Sequence, residues 1–286
     1  MTTSYELYRY TPSLAAAVLF IILFILITAY HVYQMAQARA WYFICFILGG
    51  IFQIIGYVAR ALAHSNTQSV SIYAMQAILI LLAPPLYAAT IYMTLGRLIA
   101  YLDAESLSLV PVRWLTKIFV TGDVLSFLMQ GAGGGLMSSG TASGMTTGEN
   151  VIMGGLAVQL IFFSVFVIVA TLFHYRIHQN PTQISRSTSI ARSGWRNANW
   201  ETTMVGLYIA SVLILIRSVF RMIEYAGGND GYIMSHEAFS YIFDAMLMFF
   251  AMAVMSVLHP SKVLGSAKEH KAGSRESVQL RRIYSS

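Results

Sequence analysis

Arginine and glutamate side chains share one face of an apolar segment late in the sequence. Arg217, Arg221 and Glu224 are separated by four, three and seven residues, spacings at which helical side chains are neighbours. A carboxylate binds an ammonium group, and a guanidinium binds a carboxylate or a phosphate. Charged groups rarely occur in such segments without a partner or a wet cavity, so these residues are candidates for a ligand site.

Other apolar segments carry matching polar groups. His236 and Glu237 open the next segment, and Asp244 follows Glu237 by seven residues on the same helical face. We expect one polar network in the outer half of a helix bundle, although ion pairs that only hold helices together are the alternative. The predicted substrate-binding residues are Arg60, Asp123, Gln130, Arg217, Arg221, Glu224, His236, Glu237 and Asp244.

The composition excludes an ordinary soluble domain. Hydrophobic residues make up 57% of the 286 positions and charged residues only 10%, whereas soluble proteins carry roughly 25% charged residues. Lipid must therefore be the solvent for most side chains. The net charge is +6, and the positions of the basic residues are those expected next to a membrane surface. No nucleic-acid partner is predicted.

Seven segments are long and apolar enough to cross a bilayer as helices. The sequence therefore predicts an all-α membrane protein, a seven-transmembrane-helix bundle. The third segment carries Pro84 and Pro85, which should kink it, and the fourth contains Asp123. The predicted segments lie near Ser13–Tyr33, Trp41–Leu62, Val70–Leu98, Trp114–Gly135, Val151–Tyr175, Thr203–Tyr225 and Ala238–Leu258.

Basic residues predict the orientation. With the N-terminus outside, 14 of the 18 Lys and Arg residues fall in cytosolic segments, as the positive-inside rule requires. We expect an extracellular N-terminus at 1–12, the helix bundle at 13–260 and a basic, disordered cytosolic tail at 261–286. The Gly/Ser/Thr-rich stretch 136–150 is predicted to be a flexible extracellular loop. Cys45 is the single cysteine, so no intrachain disulfide can form.

Several other functions find little support in the residues. His174 and His178 are four apart, a spacing that suits zinc, but interfacial histidines are the favoured interpretation and no metal or other cofactor is predicted. A retinal Schiff base needs a lysine inside a span, and Lys117 only begins the fourth. Neither a serine-hydrolase elbow nor a nucleotide-binding loop occurs.

A set of motifs resembles one known family. They include Tyr10-Thr-Pro-Ser13, Gly56-Tyr57-Val-Ala-Arg60, Ala83-Pro84-Pro-Leu-Tyr-Ala-Ala89, Asp123 with Gln130, Gly155-Leu-Ala-Val-Gln159, Arg217-x3-Arg221-x2-Glu224, His236-Glu237, Tyr241, Asp244 and His259-Pro260. On these residues the sequence is similar to the fungal lipid-translocating exporter family, also called the resistance-to-7-aminocholesterol-like proteins.

The resemblance implies a seven-helix protein of the fungal plasma membrane. It implies translocation of sphingoid bases or related amphiphiles and resistance to toxicants, and no enzymatic activity. Our hypothesis is a lipid translocator whose carboxylates meet a charged headgroup. A lipid-binding receptor or stress sensor and a zinc-dependent membrane lipid hydrolase are the alternatives, and the oligomeric state is left open.

Overall fold

The structure is a computed structural model that describes most of the chain. It covers residues 12–137, 141–191, 199–227, 232, 236–261 and 263, without the side chains of 142 and 188–191. The predicted extracellular N-terminus and basic tail therefore lie almost entirely outside the described residues.

Helices form nearly all of the described chain, and no strand occurs in it. A 3-10 turn at Trp41–Phe43 precedes the second helix, and the last helix contains a π-helical turn at Tyr241–Met246. The helices are α1 Leu14–Ala38, α2 Ile44–Ala63, α3 Val70–Tyr101, α4 Val112–Met137, α5 Ala142–Gln179, α6 Gln183–Ala191, α7 Trp200–Ala226 and α8 Glu237–Val257.

Six of these helices are long and apolar enough to cross a membrane, namely α1, α2, α3, α5, α7 and α8. The prediction of an all-α, multi-pass membrane protein is thus confirmed. The 26 residues of α4 correspond to about 39 Å of helix, enough to span a bilayer. Its composition is more polar, because Lys117, Asp123 and a run of glycines interrupt its apolar residues.

The core and the lipid-facing surface are both apolar. Phe24 of α1 is fully buried, whereas Leu19 and Leu26 on the other face are 54% and 63% exposed. Such an outward face suits hydrocarbon and would be unfavourable in water. Inside, α2 packs along α3 and α4 packs along α5, and these are the most extensive helix pairs.

The prediction of a flexible loop at 136–150 is wrong for its second half. Helix α5 starts at Ala142, so that residues 142–150 are helical. The Thr141 side chain caps the helix by accepting a hydrogen bond from the Gly144 amide at 3.1 Å. Residues 138–140 lie outside the described part of the chain.

Glycines explain why α4 and α5 lie so close together. A Cβ atom built on Gly133 would lie 2.7 Å from the Gly148 carbonyl oxygen, and one on Gly148 would lie 2.5 Å from the Gly133 carbonyl oxygen. Only residues without a side chain allow this backbone approach, which is typical of helix pairs in membranes. The composition of the stretch thus reflects helix packing and not flexibility.

Candidate functional site

Asp244 of α8 lies between two arginines of α7. Arg217 Nε donates to Asp244 Oδ1 at 2.7 Å, and Arg221 Nη2 donates to Asp244 Oδ2. Arg221 Nη1 also donates to Glu224 Oε2 at 2.7 Å. Arg217, Arg221, Glu224 and Asp244 form what we call the ionic cluster, whose two positive and two negative charges balance.

The ionic cluster is deeply buried. The side chains of Arg217 and Asp244 are 0% and 1% exposed, and that of Arg221 is 13% exposed. The helical spacing of Arg217, Arg221 and Glu224 aligns the three, as the sequence indicates. Asp244 lies in the π-helical turn of α8, and such turns are frequent at functional sites.

Arg217 also binds the backbone of α3. Its Nη2 donates to the Ile80 carbonyl oxygen at 3.0 Å. Ile80 is four residues before Pro84, which has no amide hydrogen to donate to that oxygen. The ionic cluster thus satisfies a backbone acceptor that the proline leaves without its helical partner.

Arg60 and Glu237 make a separate ion pair between α2 and α8. Arg60 Nη2 donates to Glu237 Oε1 at 3.1 Å, and its Nε donates to the Tyr241 hydroxyl at 3.1 Å. Both Glu237 oxygens accept from the Ser13 amide at 2.9 Å, at the N-terminus of α1, where a negative charge is favourable. Tyr241 lies one helical turn from both Glu237 and Asp244, so it adjoins both groups along α8.

Asp123 and Gln130 belong to another interface, formed by α3, α4 and α5. Gln130 Nε2 donates to Ser126 Oγ at 2.7 Å and to Gln159 Oε1 at 3.0 Å. Ser126 in turn donates to the Gly155 carbonyl oxygen at 2.7 Å. These hydrogen bonds do not reach the ionic cluster, so the structure does not join all nine predicted residues in one network.

His236 lies apart from the ionic cluster. It is exposed, and its Nδ1 lies 2.8 Å from the Tyr232 carbonyl oxygen. Its ring also lies beside that of Tyr232, with centroids 4.2 Å apart. The structure therefore places this predicted site residue at an exposed position, directly before the first residue of α8.

A small cavity lies between α3, α4, α5 and α7. Its volume is about 20 Å³, room for about one water molecule. Of the nine predicted site residues, only Gln130 lines it, together with Tyr225, the neighbour of Glu224. The other lining residues are Val70, Tyr73, Ala74, Ala77, Ile78, Leu81, Gly134, Met137, Met145 and Ile152. A lipid headgroup fits here only if these helices separate.

Histidines at the other ends of the helices serve different roles. His31 is fully buried in α1, and its Nε2 lies 3.0 Å from the Met252 carbonyl oxygen of α8. The Nε2 atoms of His174 and His178 lie 3.1 Å apart on the exposed end of α5. The described residues contain no group of three or more His, Cys, Asp or Glu side chains placed to hold a metal ion.

Several contacts of the site were not predicted from the sequence. The Ile80 carbonyl and the Ser13 amide are backbone groups, and only the proline four residues after Ile80 gives a signal for one of them. Tyr241 is one of the motif residues, but the sequence gives it no role. Its hydrogen bond with Arg60 forms because α2 and α8 lie close to each other in the fold. Gln159 became a partner of Gln130 because α4 and α5 are so close.

The sequence comparison decides the family. A profile described as "RTA1 like protein" matches residues 46–267, which include every predicted site residue. The chain belongs to the RTA1-like family. This family is the one predicted from the motifs, so that prediction is confirmed.

Relatives within the RTA1-like family come from fungi. The chain is 38% identical to Protein RTM1 of Saccharomyces cerevisiae, over 89% of this chain and 92% of that protein. It is 36% identical to Protoporphyrin uptake protein 1 of the same yeast, again over 89% and 92%. It is 28% identical to the Sphingoid long-chain base transporter RSB1 of that species, over 87% and 72%. No solved structure matches the chain.

Proposed function

We propose that this RTA1-like protein moves an amphiphilic lipid with a small charged headgroup, such as a sphingoid base, across the plasma membrane. The ionic cluster carries this proposal. In this cluster Glu224 and Asp244 would bind the ammonium group of the lipid. Arg217 and Arg221 would hold these carboxylates in place or bind a phosphate.

Unused hydrogen-bond donors support a ligand role for the ionic cluster. Arg217 Nη1 and Arg221 Nε are buried and have no hydrogen-bond partner in the described part of the chain. Buried polar groups in folded proteins are nearly always paired, and an unpaired donor is costly in a low-dielectric interior. A purely structural set of ion pairs would be expected to use these donors within the protein, whereas a site that exchanges partners during transport needs donors for its ligand.

In the proposed topology the protein crosses the membrane seven times, and α4 is the fourth span. Helix α4 packs between α3 and α5, and a chain that crosses seven times has its termini on opposite sides. The basic residues favour an extracellular N-terminus and a cytosolic C-terminus. In this orientation the ionic cluster and the pair of Arg60 with Glu237 lie in the outer half of the bundle.

The cavity beside the ionic cluster would widen into the lipid path. Its apolar lining suits a hydrocarbon chain, and Tyr225 connects it to Glu224. The α3 side of the cavity ends at Leu81, and Pro84 and Pro85 follow directly in the same helix and weaken it there. Separation of α3 from α7 would open this wall toward the bilayer.

The name of one relative agrees with this substrate class. RSB1 is named a sphingoid long-chain base transporter and aligns with 87% of this chain. We therefore propose that this protein also transports a lipid and does not catalyse a reaction. The plasma membrane as its location is part of the same proposal.

Reconstitution tests the proposal. Purified protein in liposomes should accelerate movement of a fluorescent sphingoid base between leaflets, relative to protein-free liposomes. Glu224→Gln and Asp244→Asn should abolish the acceleration, whereas Glu105→Gln, which changes an exposed carboxylate in the same way, should not. Unchanged transport by both amide variants would rule out the assigned carboxylates. Saturable binding without movement would instead indicate a lipid receptor.

A further inference from the structure

Asp123 is a buried carboxyl group without a cation. Its side chain lies in the middle of α4 and is 4% exposed, and neither carboxyl oxygen has a hydrogen-bond partner among the residues that the structure describes. Counting from Val112, it lies about 16 Å along the helix. The Tyr92 hydroxyl of α3 faces it without meeting hydrogen-bond geometry.

Aromatic rings surround Tyr92, the side chain that faces Asp123. Phe119 stands one turn before Asp123 on α4, and Tyr92 packs against Phe119 and Phe166 with centroids 5.5 Å and 4.4 Å apart. Phe163 of α5 completes the group, with its centroid 6.0 Å from that of Tyr92. All four rings are buried, so the surroundings of the Tyr92 hydroxyl and of Asp123 are mainly apolar.

The helices packed against Asp123 supply no counter-charge. On α5 there is no titratable side chain between Glu149 and His174. On α3 the titratable neighbours of Tyr92 are occupied elsewhere: Tyr87 donates to Met252 Sδ, and the Arg97 guanidinium lies 4.3 Å from the Tyr42 ring. On α4 itself, the exposed Lys117 ammonium lies 5.3 Å from the Trp114 ring.

An ionised carboxylate in such surroundings would carry a very large desolvation penalty, and a buried acid without a partner takes up a proton instead. We propose that Asp123 is a proton-binding site, protonated in this conformation, which exchanges its proton with water during each transport cycle. The coupling of this proton to lipid movement rests on the function proposed above. The binding of a proton by Asp123 is independent of that function.

A polar stripe gives the proton a route. Ser126 and Gln130 follow Asp123 at intervals of three and four residues, on the same face of α4. Gln130 donates to Ser126 Oγ and lines the cavity that has room for about one water molecule. When α4 and α5 separate, water that enters through this cavity would reach Asp123 along the stripe and accept its proton.

Infrared spectroscopy tests the proton site directly. The carbonyl stretch of a protonated carboxylic acid is separate from the carboxylate and amide bands. At neutral pH, wild-type protein should show such a band that Asp123→Asn removes. Asp103→Asn is the matched control, because Asp103 is exposed and has a positive φ of 52°, a conformation that asparagine tolerates. A spectrum without this band, or a band that Asp123→Asn leaves unchanged, would overturn the proton site.

Transport under a pH gradient tests the coupling. The substrate is a fluorescent N,N,N-trimethyl sphingoid base, whose quaternary ammonium cannot release a proton, so that the gradient acts only through the protein. Wild type and Asp103→Asn should respond to the gradient. Asp123→Asn should lose the pH response completely, and Asp123→Glu should retain it, because the response needs a titratable group at this position.

The outcomes separate the two proposals. If wild type moves lipid and Asp123→Asn keeps the full response to the pH gradient, the coupling is overturned while the proposed function stands. If wild-type protein moves no lipid, the proposed function and the coupling both fail, and the infrared band alone decides whether Asp123 binds a proton. A monodisperse gel-filtration profile is required of each variant, and Asp123→Glu decides the coupling if Asp123→Asn does not fold.

Discussion

Arg217 Nη2 lies 3.0 Å from the carbonyl oxygen of Ile80 and donates a hydrogen bond to it. This oxygen lacks its helical donor because Pro84 stands four residues later. The same guanidinium binds Asp244 through Nε. A single buried side chain therefore joins α3, α7 and α8. A change in the ionic cluster must also alter the hydrogen bond of Arg217 to the Ile80 carbonyl oxygen of α3.

Replacement of the proline should uncouple this contact. In Pro84→Ala the new amide hydrogen can bond to the Ile80 oxygen and compete with Arg217. We expect lipid transport to fall severalfold while the protein stays folded, since alanine favours a helix interior over proline by about 3 kcal/mol. Transport in liposomes and thermal unfolding in detergent measure the two effects. Pro181→Ala, in the turn between α5 and α6, is the control, and equal transport by both variants would refute the coupling.

Removal of Asp244 should destabilise the fold strongly. Asp244→Ala leaves Arg217 buried without its counter-ion, a change that costs about 3–5 kcal/mol in buried ion pairs. Denaturant unfolding in detergent should show this loss. The exposed Glu105→Ala should remain within about 0.5 kcal/mol of wild type.

The double variant Arg217→Met with Asp244→Leu separates stability from function. Replacing both partners of a buried ion pair with apolar side chains is often neutral or stabilising. We expect the double variant to recover much of the stability that Asp244→Ala loses, yet to show no transport. Transport at the wild-type rate would mean that the pair only holds helices together.

Sequence patterns predicted the helices well because lipid imposes a length and an apolar composition on each span. The bounds of α4 and α7 differ from the predicted ones by only a few residues. The start of α5 was missed because glycine and threonine normally indicate a loop. At this position they instead allow close packing and cap the helix, which depends on the neighbouring helix.

The candidate site was predicted in part. The spacing within α7 indicated that Arg217, Arg221 and Glu224 share a face, and the structure brings all three to Asp244 or to one another. Spacing within single helices says nothing about which helices are neighbours. Asp123 was therefore grouped with the ionic cluster, although α4 packs against α3 and α5.

Prolines near the ends and inside the helices coincide with hydrogen bonds between helices. Gln34 Nε2 donates to the Ser256 carbonyl oxygen at 2.8 Å, and Ser256 is four residues before Pro260. This resembles the relation of Arg217 to Ile80 and Pro84, except that Pro260 follows the end of α8 at Val257. In a bilayer a carbonyl oxygen without its helical donor needs another donor, so a proline of this kind favours a polar contact between helices.

The glycine contact of α4 with α5 should tolerate no side chain. In Gly133→Ala the new methyl would lie 2.7 Å from the Gly148 carbonyl oxygen, whereas an alanine at Gly131 would meet nothing within 4 Å. We expect Gly133→Ala to lower the unfolding temperature. Gly131→Ala should leave it unchanged or raise it, because alanine favours a helix over glycine by up to about 1 kcal/mol. Similar unfolding temperatures for the two variants would contradict the close packing of α4 on α5.

Epitope tags test the number of spans. If α4 crosses the membrane together with the other six long helices, an N-terminal tag should be accessible to antibody on intact cells. A C-terminal tag should become accessible only after permeabilisation. Two tags on the same side would show that α4 does not span the bilayer.

The central claim is that a lipid headgroup reaches the ionic cluster. The most direct measurement is photo-crosslinking with a sphingoid base that carries a diazirine next to its headgroup, followed by mass spectrometry of the labelled peptides. We expect labelling within 217–225 of α7 and 237–246 of α8, reduced by excess unlabelled base and absent in Asp244→Asn. Labelling confined to lipid-facing residues such as Leu26 and Ile161, which are 63% and 62% exposed, would contradict the account.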